Sequence, residues 1–184
     1  MDSVGTIFRS ADQHVVHVYD EPGTLVRGVA AYLAVALLHG EAALVVATAA
    51  HRDALEVALE LRGLPVAELR ARGQYIALDA GTTLDLLVHD GRLDLLAFQA
   101  LVAGEVADLV GRGGGLSVYG EMVALLWRRG NAETAVQLEQ LWNELAAAHR
   151  FRLYCGYDSE TFDRQGTADQ AARVLTAHSD VRCS

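Results

Sequence analysis

Glu121 stands in the stretch GLSVYGEMVALLWRRGN, Gly115 to Asn131, whose pattern changes at that residue. Leu116, Val118 and Tyr119 read as a buried strand that Gly120 breaks. Met122, Leu125 and Leu126 then recur at helical spacing, and Gly130 suits a helix end. A carboxylate where a buried strand yields to a helix lies where open α/β sheets collect ligands. The plainer alternative is that Glu121 only favours the start of its helix through the helix dipole.

Other chemistry-bearing groups are the histidines of HVVHVY, His14 to Tyr19. Their odd separation sends His14 and His17 to opposite faces of a strand, so the two cannot share one metal ion; His17 and Tyr19 share a face and could line one pocket. Cys155 lies in an apolar strand pattern and Cys183 near the C-terminus, without metal-ligand spacing or a disulfide framework. Neither Ser117 nor Cys155 sits in a GxSxG elbow, so no covalent nucleophile is expected. No metal and no cofactor are expected.

The elements that must position these groups alternate. After the strand at His14–Tyr19, Thr24 can cap a helix with a Leu25, Val29, Tyr32, Leu33 and Ala36 stripe. The apolar run Ala42–Ala47 reads as a strand covered on both faces. Residues His51 to Arg62 form a helix, and Tyr75–Leu78 a third strand ending at Asp79. Thr82 caps the next helix, and a longer one runs from Leu93 to Val110 with Leu95, Phe98, Val102 and Leu109 on one face. Arg112 to Gly115 turn into the Glu121 strand. That glycine run precedes its strand, whereas a phosphate loop follows one. Asn131 caps a helix bearing Leu138, Leu141, Trp142 and Leu145. Arg152–Tyr157 is a fifth strand, and Thr167 with Gln170 makes a capping box for a last helix ending near His178. Residues 1–12 read as a loose arm and the final residues as frayed.

This alternation predicts an α/β fold of three layers, a mainly parallel sheet of about five or more strands with helices on both faces. One domain is expected over 1–184, its core about 14–162 and its C-terminal helix about 167–178. Ligands of such a sheet bind beyond the strand C-termini. Those ends offer Tyr19, Asp20 and Glu21, then Thr48 and His51, then Asp79, then Glu121, then Tyr157.

Composition narrows the function. The chain has 184 residues, is 52% hydrophobic and carries a net charge of −9. An acidic chain lacks the basic face that phosphate backbones require, so no direct nucleic-acid partner is expected. The most apolar run, Gly28 to Leu38, is too short for a bilayer, and the N-terminus lacks a signal pattern. A reduced, cytoplasmic protein is the simplest expectation. The sequence contains no lysine. QYIALDA resembles a Walker B strand, but YDEPGTL stands where a phosphate loop would be, with one glycine and two carboxylates.

Taken together, HVVHVYDEPGTL, GEAALVVATAAHR, YIALDAGTTL, VYGEMVALLWRRGN, LEQLWNEL and FRLYCGYDSETF, in this order, resemble the MEDS family, the methanogen/methylotroph DcmR sensory domain. The resemblance spans about His14 to Phe162. It implies a RecA/P-loop-like fold without a working Walker A motif. It also implies sensing of a small organic ligand, such as a hydrocarbon derivative, and signalling to a partner such as a histidine kinase, an anti-sigma factor or a transcription regulator. His14, Tyr19, His51, Asp79, Tyr119, Glu121, Met122, Trp127, Asn131 and Trp142 fall at its motif positions, with Trp142 read as core. The expected ligand-binding set is therefore His14, His17, Tyr19, Asp20, Glu21, Thr48, His51, Asp79, Tyr119, Glu121, Met122, Trp127 and Asn131. No enzyme activity is expected. The alternatives are a pure protein-interaction module and a hydrolase using Glu121 and Asp79 as acid and base; homodimerisation is left open.

The carboxylates of YDEPGTL would repel a triphosphate. Isothermal calorimetry with Mg-ATP should show no saturable micromolar binding, and phosphate release should stay at background.

Overall fold

The computed structural model describes residues 14–184; the arm expected at residues 1–12 lies outside them. The chain opens with β1 (His14–Tyr19), α1 (Pro22–Leu38), β2 (Ala42–Ala47), α2 (Ala49–Glu60), α3 (Val66–Ala71), β3 (Tyr75–Asp79) and α4 (Ala80–Leu87). A short hairpin of β4 (Val88–His89) and β5 (Arg92–Leu93) follows. Next come α5 (Leu95–Phe98), a π-helical turn (Gln99–Ala103) and α6 (Gly104–Gly111). The second half holds β6 (Leu116–Gly120), α7 (Met122–Arg128), α8 (Ala132–His149), β7 (Arg152–Asp158), α9 (Ser159–Gln165), α10 (Ala168–Thr176) and β8 (Asp180–Cys183).

Six strands make one sheet in the order β3-β2-β6-β7-β1-β8, every neighbouring pair parallel. This is the predicted α/β class. Parallel strands need helical crossovers, so both faces are covered and the central strands are mostly buried. In β2 every residue is buried. Alternation divides the strand residues between two cores. Val15, Val45 and Tyr119 face a core closed by Leu25 and Val29 of α1, Leu55 and Leu59 of α2, and Val66 and Leu69 of α3. Val16, Val46 and Val118 face the other, closed by α4, α6, α7 and α8 with Phe162 and Val174.

Several local expectations change. The α1 helix starts at Pro22, a residue pre-set for a first helical position, rather than at a Thr24 cap. Asp79 rather than Thr82 caps α4: its Oδ1 accepts the Thr82 N–H at 2.9 Å. Asn131 holds the cap position of α8 but makes no side-chain cap bond. The predicted helix from Leu93 begins as a hairpin instead. Asp90 and Gly91 both take positive φ, 50° and 74°, as a two-residue hairpin turn requires. Behind it the π-helical turn shifts the helix face, leaving Phe98, Val102 and Leu109 buried but Leu95 57% exposed. The frayed tail is in fact β8, which adds to the edge at β1. Other readings hold: Thr167 and Gln170 form the capping box, and Gly113 to Gly115 make a turn with φ of 81°, 98° and 99°.

Trp142 fills the core under α8, edge-on to Phe98 at 5.9 Å and to Phe151 at 6.3 Å. Trp142→Ala should cost about 3–5 kcal/mol, the range for truncating a buried aromatic. Denaturant titration should show the midpoint fall with little change in slope.

Candidate functional site

The edge of β2 beside β6 is a topological switch point. From β2 the chain runs through α2 to β3 on one side; from β6 it runs through α7 and α8 to β7 on the other. Such a point, where crossovers leave the sheet in opposite directions, is where open α/β sheets hold ligands. Thr48 and His51 follow β2 there, and Glu121 follows β6.

Glu121 is 2% exposed. Its backbone N–H extends the ladder to Val46 O at 2.9 Å, which fixes where its side chain starts. That side chain caps nothing on its own helix. It reaches across to α2, where Oε2 accepts the Thr48 N–H at 2.6 Å. Oε1 meets His51 Nδ1 and accepts from the Tyr119 hydroxyl at 3.0 Å. Burial by itself would raise the Glu121 carboxyl; the hydrogen bond and charge of His51, with the Thr48 N–H and the Tyr119 hydroxyl, bring it below its ordinary value. Around the carboxylate lies an aromatic face. Burial, then the Glu121 charge, pushes Tyr19 up to about 12 and Tyr119 well above its ordinary value. Tyr154 packs edge-on to Tyr119 at 6.2 Å, and its hydroxyl lies 2.9 Å from His17 Nδ1. His17 Nε2 in turn lies 2.7 Å from the Ser184 hydroxyl.

The expected set therefore divides. Thr48, His51, Tyr119 and Glu121 touch, with Tyr19 in the same aromatic core and His17 joined to it through Tyr154. Asp79 caps α4 and pairs with Arg52 of α2 at 3.0 Å. Asp20 is exposed and accepts from the Ser159 hydroxyl at 2.5 Å, and Glu21 is exposed at the start of α1. Met122 and Trp127 face the opposite core, because α7 packs under the sheet; the indole stacks on Phe162 at 4.9 Å and donates to its carbonyl at 3.2 Å. Asn131, at the cap position of α8, turns its side-chain Oδ1 toward the hairpin glycine Gly91. His14 faces the opposite core as well, where burial first, against the pull of Glu139, lowers it to about 4. Its separation from His17 is as the strand period dictates. Sequence reasoning missed Tyr154 and Ser184. Tyr154 shares its face with Tyr119 through the β6–β7 register, which sequence alone does not give.

The model of the MEDS domain, the methanogen/methylotroph DcmR sensory domain, matches residues 13–178. The chain belongs to the MEDS family. MEDS is a family of sensory domains, and Thr48, His51, Tyr119 and Glu121 all lie inside the matched span of this MEDS chain. No curated protein matches it. Among the described residues no helix is long and apolar enough to cross a membrane.

With its folded pKa below the unfolded 4.5, Glu121 adds stability that is complete above about pH 4.5 and lost as pH falls through the folded value. Glu121→Gln should remain folded yet lose about 1–3 kcal/mol near neutrality, the scale of a hydrogen bond to a charged group. Thermal melts across pH should show the gap between wild type and variant narrowing below about pH 4.5.

Proposed function

We propose that the site around Glu121 binds a small, mainly apolar organic molecule carrying one hydroxyl or amine. The observation that carries this reading is a buried carboxylate at the switch point that holds the N-terminus of α2 through Thr48 and His51. A ligand hydroxyl or amine can donate to Glu121 in place of His51 or Tyr119, while Tyr19, Tyr119 and Tyr154 pack on its carbon skeleton. Helix α2 buries only Leu55 and Leu59, so weakening its tether is an inexpensive way to move it. Moving α2 changes the surface offered to a histidine kinase, an anti-sigma factor or a transcription regulator in the cytoplasm. Binding without turnover fits the disposition of Asp79, which is committed to capping α4 and pairing with Arg52 rather than standing free as a partner acid or base.

A second reading, a protein-interaction module, draws support from a different surface. Leu86, Leu95, Leu96 and Leu101 are exposed, and Leu93, Leu95 and Leu141 help line a groove of about 300 Å³ beside the β4–β5 hairpin. This groove lies across the sheet from the Glu121 site.

Native mass spectrometry of gently purified protein separates the two. A bound small molecule on the wild type that is missing from folded Glu121→Gln supports sensing at the Glu121 site. Identical ligand-free spectra, with unchanged melting across a panel of short alcohols and amines, would move the function to the leucine surface.

A further inference from the structure

On the face of the sheet opposite the Glu121 site, four metal-capable side chains converge from four elements. His14 comes from β1, Glu139 from α8, Cys155 from β7 and His178 from the turn between α10 and β8. All four are buried, and one ligand atom from each lies within 4.8 Å of the other three. We propose that His14, Glu139, Cys155 and His178 form a four-coordinate site for a divalent transition metal of the zinc class.

The spacing suits one ion at the centre. His14 Nε2 lies 3.3 Å from Cys155 Sγ and 3.5 Å from Glu139 Oε2. Glu139 Oε2 lies 3.5 Å from His178 Nε2 and 3.6 Å from Cys155 Sγ. Zinc bonds to nitrogen, oxygen and sulfur give tetrahedral ligand–ligand edges of about 3.3–3.6 Å. Four edges of the cluster are already of that length.

The surroundings orient each ligand. Val174 O lies 2.6 Å from His178 Nδ1, and a carbonyl can only accept, so that nitrogen carries the proton and Nε2 offers its lone pair to the cluster. Asn143 Nδ2 donates to Ala177 O at 3.0 Å, which turns Oδ1 toward His14 Nδ1 at 2.8 Å. His14 Nδ1 is thus the donor, and its Nε2 too is a lone pair. Glu139 Oε1 accepts from the Tyr157 hydroxyl at 2.7 Å, leaving Oε2 for the ion. Ligand histidines held through their other nitrogen, and a ligand carboxylate held through its other oxygen, are the usual outer arrangement of metal sites.

Counting protons makes the same point. The two Nε2 atoms and Glu139 Oε2 are acceptors, and the Cys155 thiol supplies a single hydrogen among them. His178 Nε2 is fully buried with no hydrogen-bond partner. The carboxylate oxygens meet Tyr157, Cys155 and the two imidazoles, and no guanidinium among the described residues. Binding releases the thiol proton to solvent. The dication then faces one thiolate, one carboxylate and two neutral imidazoles, a net charge of zero in an apolar core. The odd spacing that keeps His17 away from His14 does not bear on this site, whose other members lie more than a hundred residues along the chain.

Cobalt(II) provides the test, because a tetrahedral thiolate site gives it intense visible bands and a thiolate charge-transfer band. Protein stripped with a chelator should take up one Co²⁺ per chain with both signatures, and Zn²⁺ should displace it and abolish the colour. The chain has two cysteines. Cys183→Ser should therefore keep the charge-transfer band, assigning it to Cys155, and this arm needs no change in the core. Cys155→Ser should lose the band, and His178→Gln, if its circular dichroism is unchanged, should bind Co²⁺ at least tenfold more weakly. Wild-type protein that takes up no stoichiometric Co²⁺ would overturn the proposal, as would a band that disappears in Cys183→Ser or survives in Cys155→Ser.

Discussion

A carboxylate taken out of water must find its donors inside the protein. The doubly covered sheet imposes this twice. Glu121 lies on the face of α1 and α2, and Glu139 on the face of α8. The two solve the problem differently. Glu121 draws on a backbone N–H at the start of a helix, an imidazole and a tyrosine hydroxyl, and this set ties β6 to the element after β2. Glu139 has a tyrosine hydroxyl, one weak thiol donor and two imidazoles oriented to present lone pairs. The first set is complete within the chain, while the second is short of positive charge. Two acids of the same type, buried alike, thus lead to different chemistry because of what stands around them.

The fold was legible because it rests on periodicity. Continuous apolar strands such as Ala42–Ala47 and striped helices such as α1 carry their class in the residues themselves. The divergence of His14 and His17 likewise needed only the strand period. What was not legible depended on neighbours in space. Asp180–Cys183 is short and polar, and it becomes a strand only because β1 offers a free edge. The Asp90-Gly91 hairpin was different: its signal was present, but the leucines after it also fit a helix. Asp79 took the helix start from Thr82 because a capping aspartate and a strand-end aspartate look alike until the backbone turn is seen.

The same distinction separates the two clusters. Glu121, Thr48 and His51 could be foreseen together, because strand C-termini meet at one edge of a parallel sheet whatever the register. Glu139 and His178 could not. Glu139 reads as one more acidic position on an amphipathic helix, and His178 as the end of the last one. Their meeting with His14 and Cys155 depends on strand order, specifically on β1 lying beside β7, and neither composition nor spacing encodes that.

That strand order also sets a schedule for the nascent chain. β1 emerges from the ribosome before the other strands, yet its two neighbours, β7 and β8, are the last to be made. β2, β3 and β6 can pair with one another during synthesis, while Val15 and Val16 have no sheet partner until residues beyond 150 arrive. Contacts of such long sequence separation form slowly, because loop closure precedes any gain from pairing. An apolar strand left waiting in this way is what holdase chaperones recognise, so the first strand of this protein is also its longest-lived liability during synthesis.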